Sequence, residues 1–190
     1  MPIVVNSTNI KTLKVNSTNM KKGYANQVLV YSADETIFEN GVLSTGTTTN
    51  NFTIRNRTDL EDGFGNNKCL QMVSQATSFD SDNQYGYVQF NVSDFSSISV
   101  EFTYAGFATQ AKMDAWCGFD IPSEDWESDL EYLGGVPYYN ESTVVTKTYN
   151  TSSLSGNKQF IARLRVGNNS GDASTVAFSK FIIRKIIGYV

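Results

Sequence analysis

The stretch SISVEFTYA, residues 97–105, carries the clearest fold signal in this sequence. Apolar and polar residues alternate along it, with Ile98, Val100, Phe102 and Tyr104 in one phase and Ser99, Glu101 and Thr103 in the other. Successive side chains of a β-strand point to opposite faces of its sheet. The stretch therefore predicts a strand with one buried face and one solvent-facing side.

The same alternation assigns an inner or an outer face to three further stretches. Inner positions are predicted for residues 115, 117, 119 and 121, for 160, 162, 164 and 166, and for 88 and 90. The outer positions are polar or aromatic: Asp114, Trp116, Asp120, Gln159, Arg163, Arg165, Tyr85, Tyr87 and Gln89. Each strand thus buries one face and presents polar or aromatic groups on the other.

From residue 35 onward the chain is predicted to be a series of strands separated by Gly, Asn, Asp and Ser. The predicted strands are 36–44, 51–56, 68–74, 85–92, 97–105, 113–121, 143–149, 158–166 and 175–187. Residues 124–133 are the one stretch compatible with a short helix. This pattern predicts an all-β fold, a jelly-roll-like sandwich of two antiparallel sheets over residues 35–190.

The first 34 residues differ from the rest and are predicted to form a separate β-rich segment. The run VNSTNIK at residues 5–11 recurs as VNSTNMK at 15–21, and a further apolar run follows at 27–31. Each repeat indicates an Asn-rich turn followed by a short strand, which predicts a small β-meander. Such a meander is too small for its own core. We expect it to attach to the main domain, to a second copy in a homo-oligomer, or to a larger assembly.

Composition and charge exclude several classes of function. The net charge is −4 and no cluster of Lys and Arg stands out, which argues against nucleic-acid binding. No apolar run approaches the roughly 20 residues of a membrane span, so no membrane insertion is expected. The N-terminus lacks the pattern of a signal peptide, which indicates a removed signal or a non-secretory route.

The absence of histidine excludes the commonest catalytic arrangements. Without His there is no Ser-His-Asp or Cys-His site and no His-containing zinc site. A carboxylate pair for glycoside cleavage could come from the acidic stretch between residues 120 and 131, but such runs are most often solvated loops. We therefore predict that the protein is not an enzyme. Cys69 and Cys117 lie on different predicted strands, and free buried thiols are favoured over a disulfide.

The candidate binding residues are aromatic and acidic side chains in the outward phase. Trp116 lies between Asp114 and Asp120 on one predicted strand, an arrangement in which the ring stacks on a sugar while the acids accept hydroxyl protons. Tyr85 and Tyr87 share this phase on another strand. The predicted loop 122–140 is longer than a plain connection needs and adds further aromatic candidates, Trp126, Tyr138 and Tyr139, as well as Tyr132. The alternative is that this loop covers Trp116 and forms a second core.

A structural calcium ion is the one cofactor that the sequence suggests. Asp80, Asp82 and Asn83 place oxygen-bearing side chains close together in a predicted turn, as calcium-binding loops do. The stretch lacks the Gly and the distant Glu of an EF-hand. A plain Asp/Asn turn without metal is the alternative.

Two similar turns carry a resemblance to known domains. FNVSDFS at residues 90–96 and YNTSSLS at 149–155 each lead into a strand, with Phe95 or Leu154 expected to close the core. With the final strand AFSKFII at 177–183, this pattern resembles jelly-roll carbohydrate-binding modules and galactose-binding-like domains. The resemblance covers about residues 35–187 and implies a sandwich that binds a glycan.

The N-terminal segment is similar to the β-rich leader of some bacteriophage tail and baseplate proteins. The similarity lies in IKTLKVNST at residues 10–18, followed by KGYANQVLVY at 22–31. It implies a virion or host-recognition role. With the sandwich, this predicts a virion protein that contacts host-surface glycans and is located in the virion, extracellularly or at a cell surface. The alternatives are a purely structural module packed against other virion subunits or a cell surface, and an accessory carbohydrate-binding module of a secreted enzyme.

Overall fold

The structure is a computed structural model that describes residues 34–56, 68–77, 80–106, 113–136, 144–168 and 176–190 in full. It gives the backbone alone at residue 107, at 111–112 and in four short strands between residues 13 and 32. Nearly all regular structure in these ranges is β-strand, and the exception is a 3-10 helix at Ser123–Asp125. No helix in these ranges has the length and apolar character needed to span a bilayer.

The strands are numbered along the chain. The first eight are β1 Leu13–Val15, β2 Thr18–Met20, β3 Lys22–Ala25, β4 Val28–Ser32, β5 Glu35–Glu39, β6 Val42–Leu43, β7 Thr48–Asn50 and β8 Thr53–Asn56. The others are β9 Lys68–Ala76, β10 Ser81–Asn91, β11 Ser97–Phe107, β12 Ala111–Phe119, β13 Glu131–Gly135, β14 Val145–Asn150, β15 Asn157–Asn168 and β16 Ala177–Tyr189.

Two antiparallel sheets pack face to face, which confirms the predicted all-β sandwich. The five-stranded sheet has the order β13-β12-β15-β10-β7. The seven-stranded sheet has the order β14-β11-β16-β5-β6, and β9 also pairs with β16 and carries β8 at its other edge. The long strand β16 pairs with β9 through Ala177–Ile183 and with β5 through Lys185–Gly188.

The core lies between the two sheets and is rich in aromatic rings. Phe102 and Phe181 stack with their ring centroids 4.8 Å apart, and Phe160 reaches across from the opposite sheet to within 6.1 Å of Phe102. All three side chains are fully buried. Rings at these separations add attraction beyond the burial of their area.

The predicted phase is confirmed within strands β10, β11, β12 and β15, whose predicted inner residues belong to the core. The inner position predicted for Ile121 is wrong, because Ile121 lies past the end of β12 and its side chain packs beside Gly118 on the outer side. In β12, Ala115 and Cys117 are buried while Trp116 is half-buried on the outer side. Both cysteines are free and buried, as favoured by the sequence. Burial raises the pKa of the Cys117 thiol to about 11, which keeps it protonated at neutral pH.

The predicted strand 36–44 is wrong in one respect, because it is a hairpin. Strands β5 and β6 pair antiparallel, with Asn40 and Gly41 as the two residues between them. Their φ angles are 48° and 80°, and two positive φ values are what the tightest hairpin turn requires. Asn-Gly is the preferred sequence for that turn, so a local signal for the break was present.

The predicted strand 51–56 also differs from the structure, because the chain changes sheets within this region. Strand β7 belongs to the five-stranded sheet and β8 to the seven-stranded sheet. Asn51 between them has a φ of 57°, in the left-handed region that Asn tolerates better than most residues. Its side-chain Nδ2 donates to the carbonyl of Tyr85 at 2.6 Å, which fixes the crossing against strand β10.

The predicted loop 122–140 contains regular structure. Its beginning forms the 3-10 helix in place of the longer helix considered for 124–133, and Glu131–Gly135 forms β13 against β12. The alternation that identified other strands is weak in the sequence EYLGG. Backbone pairing to β12 therefore decides this strand, rather than a pattern in its own sequence.

The two similar turns lie side by side and bond to each other. The side chains of Asn91 and Asn150 each accept a hydrogen bond from the backbone N–H two residues further on, both at 2.9 Å. The hydroxyl of Thr151 in the second turn donates to the carbonyl of Phe95 in the first, at 2.9 Å. Phe95 is buried and Leu154 packs partly buried against the core, as predicted.

The described strands of the N-terminal segment pair only within the segment. Strand β1 pairs with β2 and β3 with β4, which gives two separate two-stranded sheets instead of one continuous meander. Neither pair shares a ladder with the sandwich strands in the part of the chain that the structure describes. The division of the chain at residues 34 and 35 stays a prediction.

Candidate functional site

Four outward-facing side chains of the five-stranded sheet lie in one line across it. Tyr132 on β13 pairs in register with Trp116 on β12, Trp116 pairs with Arg163 on β15, and Arg163 pairs with Tyr85 on β10. Adjacent strands are about 4.8 Å apart, so these residues span about 14 Å across the sheet. We call Tyr132, Trp116, Arg163 and Tyr85 the aromatic row.

The members of the aromatic row stack on one another. The ring centroids of Tyr132 and Trp116 are 5.3 Å apart. The guanidinium of Arg163 lies between two rings, 4.5 Å from the centroid of Trp116 and 5.2 Å from that of Tyr85. A guanidinium over a ring is attracted by the negative π-face, by about 0.5–2 kcal/mol depending on burial. Arg163 is only 8% exposed, so these contacts hold it firmly.

Trp126 extends the row beyond Tyr85. It lies in the connection between β12 and β13, with its ring 5.5 Å from Tyr85 and 6.4 Å from Tyr87. Its indole N–H donates to the carbonyl of Ile121 at 2.9 Å, which satisfies the polar atom of the ring.

The connection that carries Trp126 can approach the sheet because residue 118 is glycine. A Cβ at Gly118 would lie 2.4 Å from Cδ1 of Ile121 and 2.8 Å from a methyl carbon of Leu130. These two apolar side chains therefore fill the place that a side chain at residue 118 would take. Ile161, the register neighbour of Gly118, is fully buried on this outer face.

Asp114 holds the other end of the site together. Its carboxylate is buried and accepts hydrogen bonds from the hydroxyl of Tyr132 at 2.8 Å and from the guanidinium of Arg165 at 2.5 Å. Arg165 also lies 5.3 Å from the centroid of Trp116. The pKa of the Tyr132 hydroxyl is raised, mainly by its hydrogen bond to Asp114 and to a smaller extent by desolvation. Asp114 thus orients two side chains that flank Trp116.

Exposure differs along the row and defines its accessible end. Tyr132 is 55% exposed and the side chain of Arg165 is 42% exposed, whereas Trp116, Tyr85 and Trp126 are half-buried. The half-burial of Trp116 comes from Tyr132 and two guanidiniums that pack on it. The β12–β13 end of the row is therefore its open end.

Further polar groups surround Arg163 and Tyr85. The side-chain oxygen of Asn83 accepts from Nε of Arg163 at 2.9 Å. The exposed carboxylate of Glu127 lies 3.5 Å from Arg163 and 3.4 Å from the hydroxyl of Tyr85. The outer face of this sheet thus offers donors and acceptors beside its rings.

The structure brings most of the predicted binding residues together. Asp114, Trp116, Tyr85, Tyr87 and Trp126 all lie on this outer face. Their role in binding stays a prediction. Tyr138 and Tyr139 lie outside the described residues.

Asp120 is placed differently from the other candidates. It has a φ of 55° just after β12, and its carboxylate pairs with Lys158 at 2.9 Å. Its backbone N–H donates to the carbonyl of Gln159 at 2.9 Å. These contacts assign Asp120 to the turn at the end of the sheet.

The three residues proposed for calcium direct their oxygens to different protein donors. Asp80 accepts from the N–H of Ser81, and Asn83 accepts from Arg163 on the outer face. Asp82 accepts hydrogen bonds from the hydroxyl of Ser74, the N–H of Gln75 and the side chain of Gln84. Among the described residues no group of three or more His, Cys, Asp or Glu side chains is arranged to hold a metal. A structural calcium stays a prediction.

Two residues of the site were not among the sequence-derived candidates: Arg163 and Arg165. The outward phase of both arginines could be predicted, but not that β15 lies beside β12. That neighbour relation joins residues far apart in the chain and carries no local signal. Tyr132 lay in the predicted loop, and the unrecognised strand β13 is what places it beside Trp116.

Comparison with known proteins finds similar structures but no similar sequences. No protein-family model matches the chain, and no curated protein matches its sequence. The chain is similar to TmCBM61, whose structure was solved in complex with beta-1,4-galactotriose, with 7% identity and a TM-score of 0.42 over 77% of this chain and 90% of that one. It is also similar to the N-terminal cellulose-binding domain of Cellulomonas fimi beta-1,4-glucanase C, with 10% identity and a TM-score of 0.32 over 76% of this chain and 89% of that one.

A third similar structure is the glycoside hydrolase domain of Endo-D from Streptococcus pneumoniae R6. The identity is 11% and the TM-score 0.34, over 75% of this chain but only 21% of that chain.

Proposed function

We propose that this protein is a non-catalytic glycan-binding module that holds its ligand on the outer face of the five-stranded sheet. The aromatic row is the observation that carries the proposal. Rings stack on the C–H faces of a sugar, and adjacent charged and amide groups bond its hydroxyls. Tyr132 and Trp116 supply the rings at the open end, and Arg165 supplies an exposed donor beside them.

Two observations support the absence of catalysis. The chain has no histidine, which excludes histidine-based acid–base catalysis. The buried carboxylate of the site, Asp114, accepts hydrogen bonds from Tyr132 and Arg165. That arrangement suits an orienting group, because the carboxylate already accepts hydrogen bonds from two side chains of the site.

The second part of the proposal concerns the N-terminal segment. Its structure supports a role in a larger assembly. Its described strands form two isolated pairs, and two-stranded sheets of this size are marginal alone. We propose that residues 1–34 attach the module to a phage tail or baseplate, in line with the resemblance of this segment, while the sandwich contacts host-surface glycans. The protein would then be located in the virion or at a cell surface. A purely structural virion subunit, with the row buried against a neighbour, is the rival.

The test compares Trp116→Ala with Phe178→Ala on an array of bacterial and plant oligosaccharides. Phe178 is a half-buried aromatic on the other sheet with Lys180 over its ring at 5.7 Å, so it matches Trp116 in type and setting. We expect Trp116→Ala to weaken binding roughly 30-fold, as for a central anchor. Phe178→Ala should leave it unchanged, with circular dichroism confirming that both variants fold. A folded wild-type chain that binds no oligosaccharide would overturn the glycan function and favour the structural rival.

A further inference from the structure

The described charged side chains on the outer face of the five-stranded sheet pair with one another. Arg165 pairs with the buried carboxylate of Asp114, and Arg163 lies 3.5 Å from the carboxylate of Glu127. At the end of the sheet, Lys158 pairs with Asp120 at 2.9 Å. Each described cation of this face thus has a carboxylate beside it, and none offers an uncompensated positive charge.

The segment that borders the row adds negative charge. Residues 121–136 contain five acidic residues and no Lys or Arg, and three of the acids are exposed on the connection around Trp126: Glu124, Glu127 and Asp129. The whole chain has a net charge of −4. A polyanion approaching the row would therefore meet net repulsion within about a Debye length of the surface, roughly 10 Å at 0.1 M salt.

The groups left for a ligand suit hydroxyls better than carboxylates. The side chain of Arg165 is 42% exposed at the open end, but its positive charge is compensated by the ion pair with Asp114. Glu127 is 78% exposed and can accept protons from hydroxyl groups, whereas it would repel a carboxylate. Tyr132 offers a ring and is 55% exposed.

We infer that the ligand of the aromatic row is an uncharged oligosaccharide, an inference that rests on the glycan-binding function proposed above. Its ring faces stack on Trp116 and Tyr132. Its hydroxyls bond Arg165, and Glu127 where the chain extends toward Trp126. Affinity then comes from stacking and from hydrogen bonds to a ligand without net charge, which salt screens little.

The test measures binding of the full chain to matched polysaccharide pairs that differ in charge. Suitable pairs are galactan with polygalacturonate, glucan with polyglucuronate, and mannan with polymannuronate, measured by affinity electrophoresis or calorimetry. We expect the neutral member of at least one pair to bind, with an affinity that changes less than about twofold between 50 and 500 mM NaCl. Preferential binding of a polyuronate that weakens with salt would overturn the uncharged ligand and leave the glycan function standing. Binding of no member by the folded chain would overturn both.

A charge variant checks the electrostatic reason. Glu124→Gln combined with Asp129→Asn removes two exposed acids that lie outside the row. At 50 mM NaCl the variant should bind polyuronates more strongly than the wild type, by roughly severalfold, with neutral binding unchanged. The gain should vanish at 500 mM NaCl. An unchanged polyuronate affinity at low salt would contradict the proposed repulsion.

Discussion

Each outer face of this sandwich must present groups that water can solvate, and the two faces do so with different residues. On the seven-stranded sheet, charged side chains of adjacent strands pair across the surface, Arg184 with Glu101 at 3.3 Å and Lys185 with Glu39 at 2.8 Å. On the five-stranded sheet, rings and guanidiniums stack in a line that centres on Trp116 and Arg163.

The comparison separates what the fold requires from what it permits. Both sheets bury apolar residues on their inner faces, and either outer face needs only polar groups that water can solvate. The seven-stranded sheet shows that cross-strand ion pairs meet this need. The aromatic row is therefore not a requirement of the fold, and large rings placed together on an outer face are typical of a binding surface.

The largest effect is expected from removing the carboxylate that supports the row. Asp114→Ala frees Tyr132 and Arg165 from a buried, charged partner, so unfolding free energy should fall by about 2–3 kcal/mol and glycan binding should be lost. The matched change on the other face is Glu101→Ala, whose partner Arg184 is 41% exposed. An exposed pair contributes about 0.2–1 kcal/mol. Urea unfolding of both variants tests the comparison, and equal losses would contradict a special role for Asp114.

A smaller effect is expected from pushing the Trp126 connection off the sheet. Gly118→Val places methyl groups where Ile121 and Leu130 now pack, so stability should fall by about 1–3 kcal/mol. The contact between Trp126 and Tyr85 should loosen, which a change in tryptophan fluorescence would report. Gly135→Val is the control on the neighbouring strand, since the atom nearest to its Cβ is 3.8 Å away. If both variants behaved alike, the close seating of this connection would not depend on Gly118.

The smallest effect concerns the link between the two sheets. Asp82 on β10 accepts hydrogen bonds from Ser74 and Gln75 on β9, so it joins the sheets whose outer faces differ. Burial acts to raise its pKa, but hydrogen bonds from Gln75, Gln84 and Ser74 outweigh burial and lower it. A carboxyl whose pKa is lowered by folding stabilises the protein above its unfolded pKa and loses that contribution as pH falls through the folded pKa.

Asp82→Asn should therefore cost about 1 kcal/mol at pH 7. The difference from wild type should persist at pH values above the unfolded pKa of about 3.9 and shrink below it, because the unfolded carboxyl then takes up a proton before the folded one does. Chemical denaturation of both proteins from pH 7 to pH 2.5 measures it. A difference that grew on acidification would contradict the lowered pKa of Asp82.

The sequence predicted which face of the sheet each side chain occupies far better than which strands lie side by side. A period of two follows directly from strand geometry, which is why the outward phase of Trp116 and Arg163 could be predicted. Which strands lie side by side depends on pairing between distant segments. For that reason the contact between these two residues became visible only in the folded chain.

Turn chemistry explains two further differences between sequence and structure. Asn40-Gly41 is a strong hairpin signal that lies inside a stretch of strand-forming residues, and the alternation there obscured it. Asn51 gave a weaker signal, since Asn occurs in many turns that do not change sheets. A local pattern can indicate where a strand stops without indicating which sheet the next strand joins.

The register of the aromatic row sets the positions at which its chemistry can vary. Backbone hydrogen bonds fix the spacing between residues 132, 116, 163 and 85, whatever side chains they carry. A substitution at one of these positions changes the group presented to the proposed ligand and leaves the backbone positions of the other three unchanged, although the side chains that stacked on the replaced group lose that contact. The outer face is therefore a scaffold on which ligand preference can be altered one position at a time, by natural variation or in a designed library, with the sandwich core unchanged.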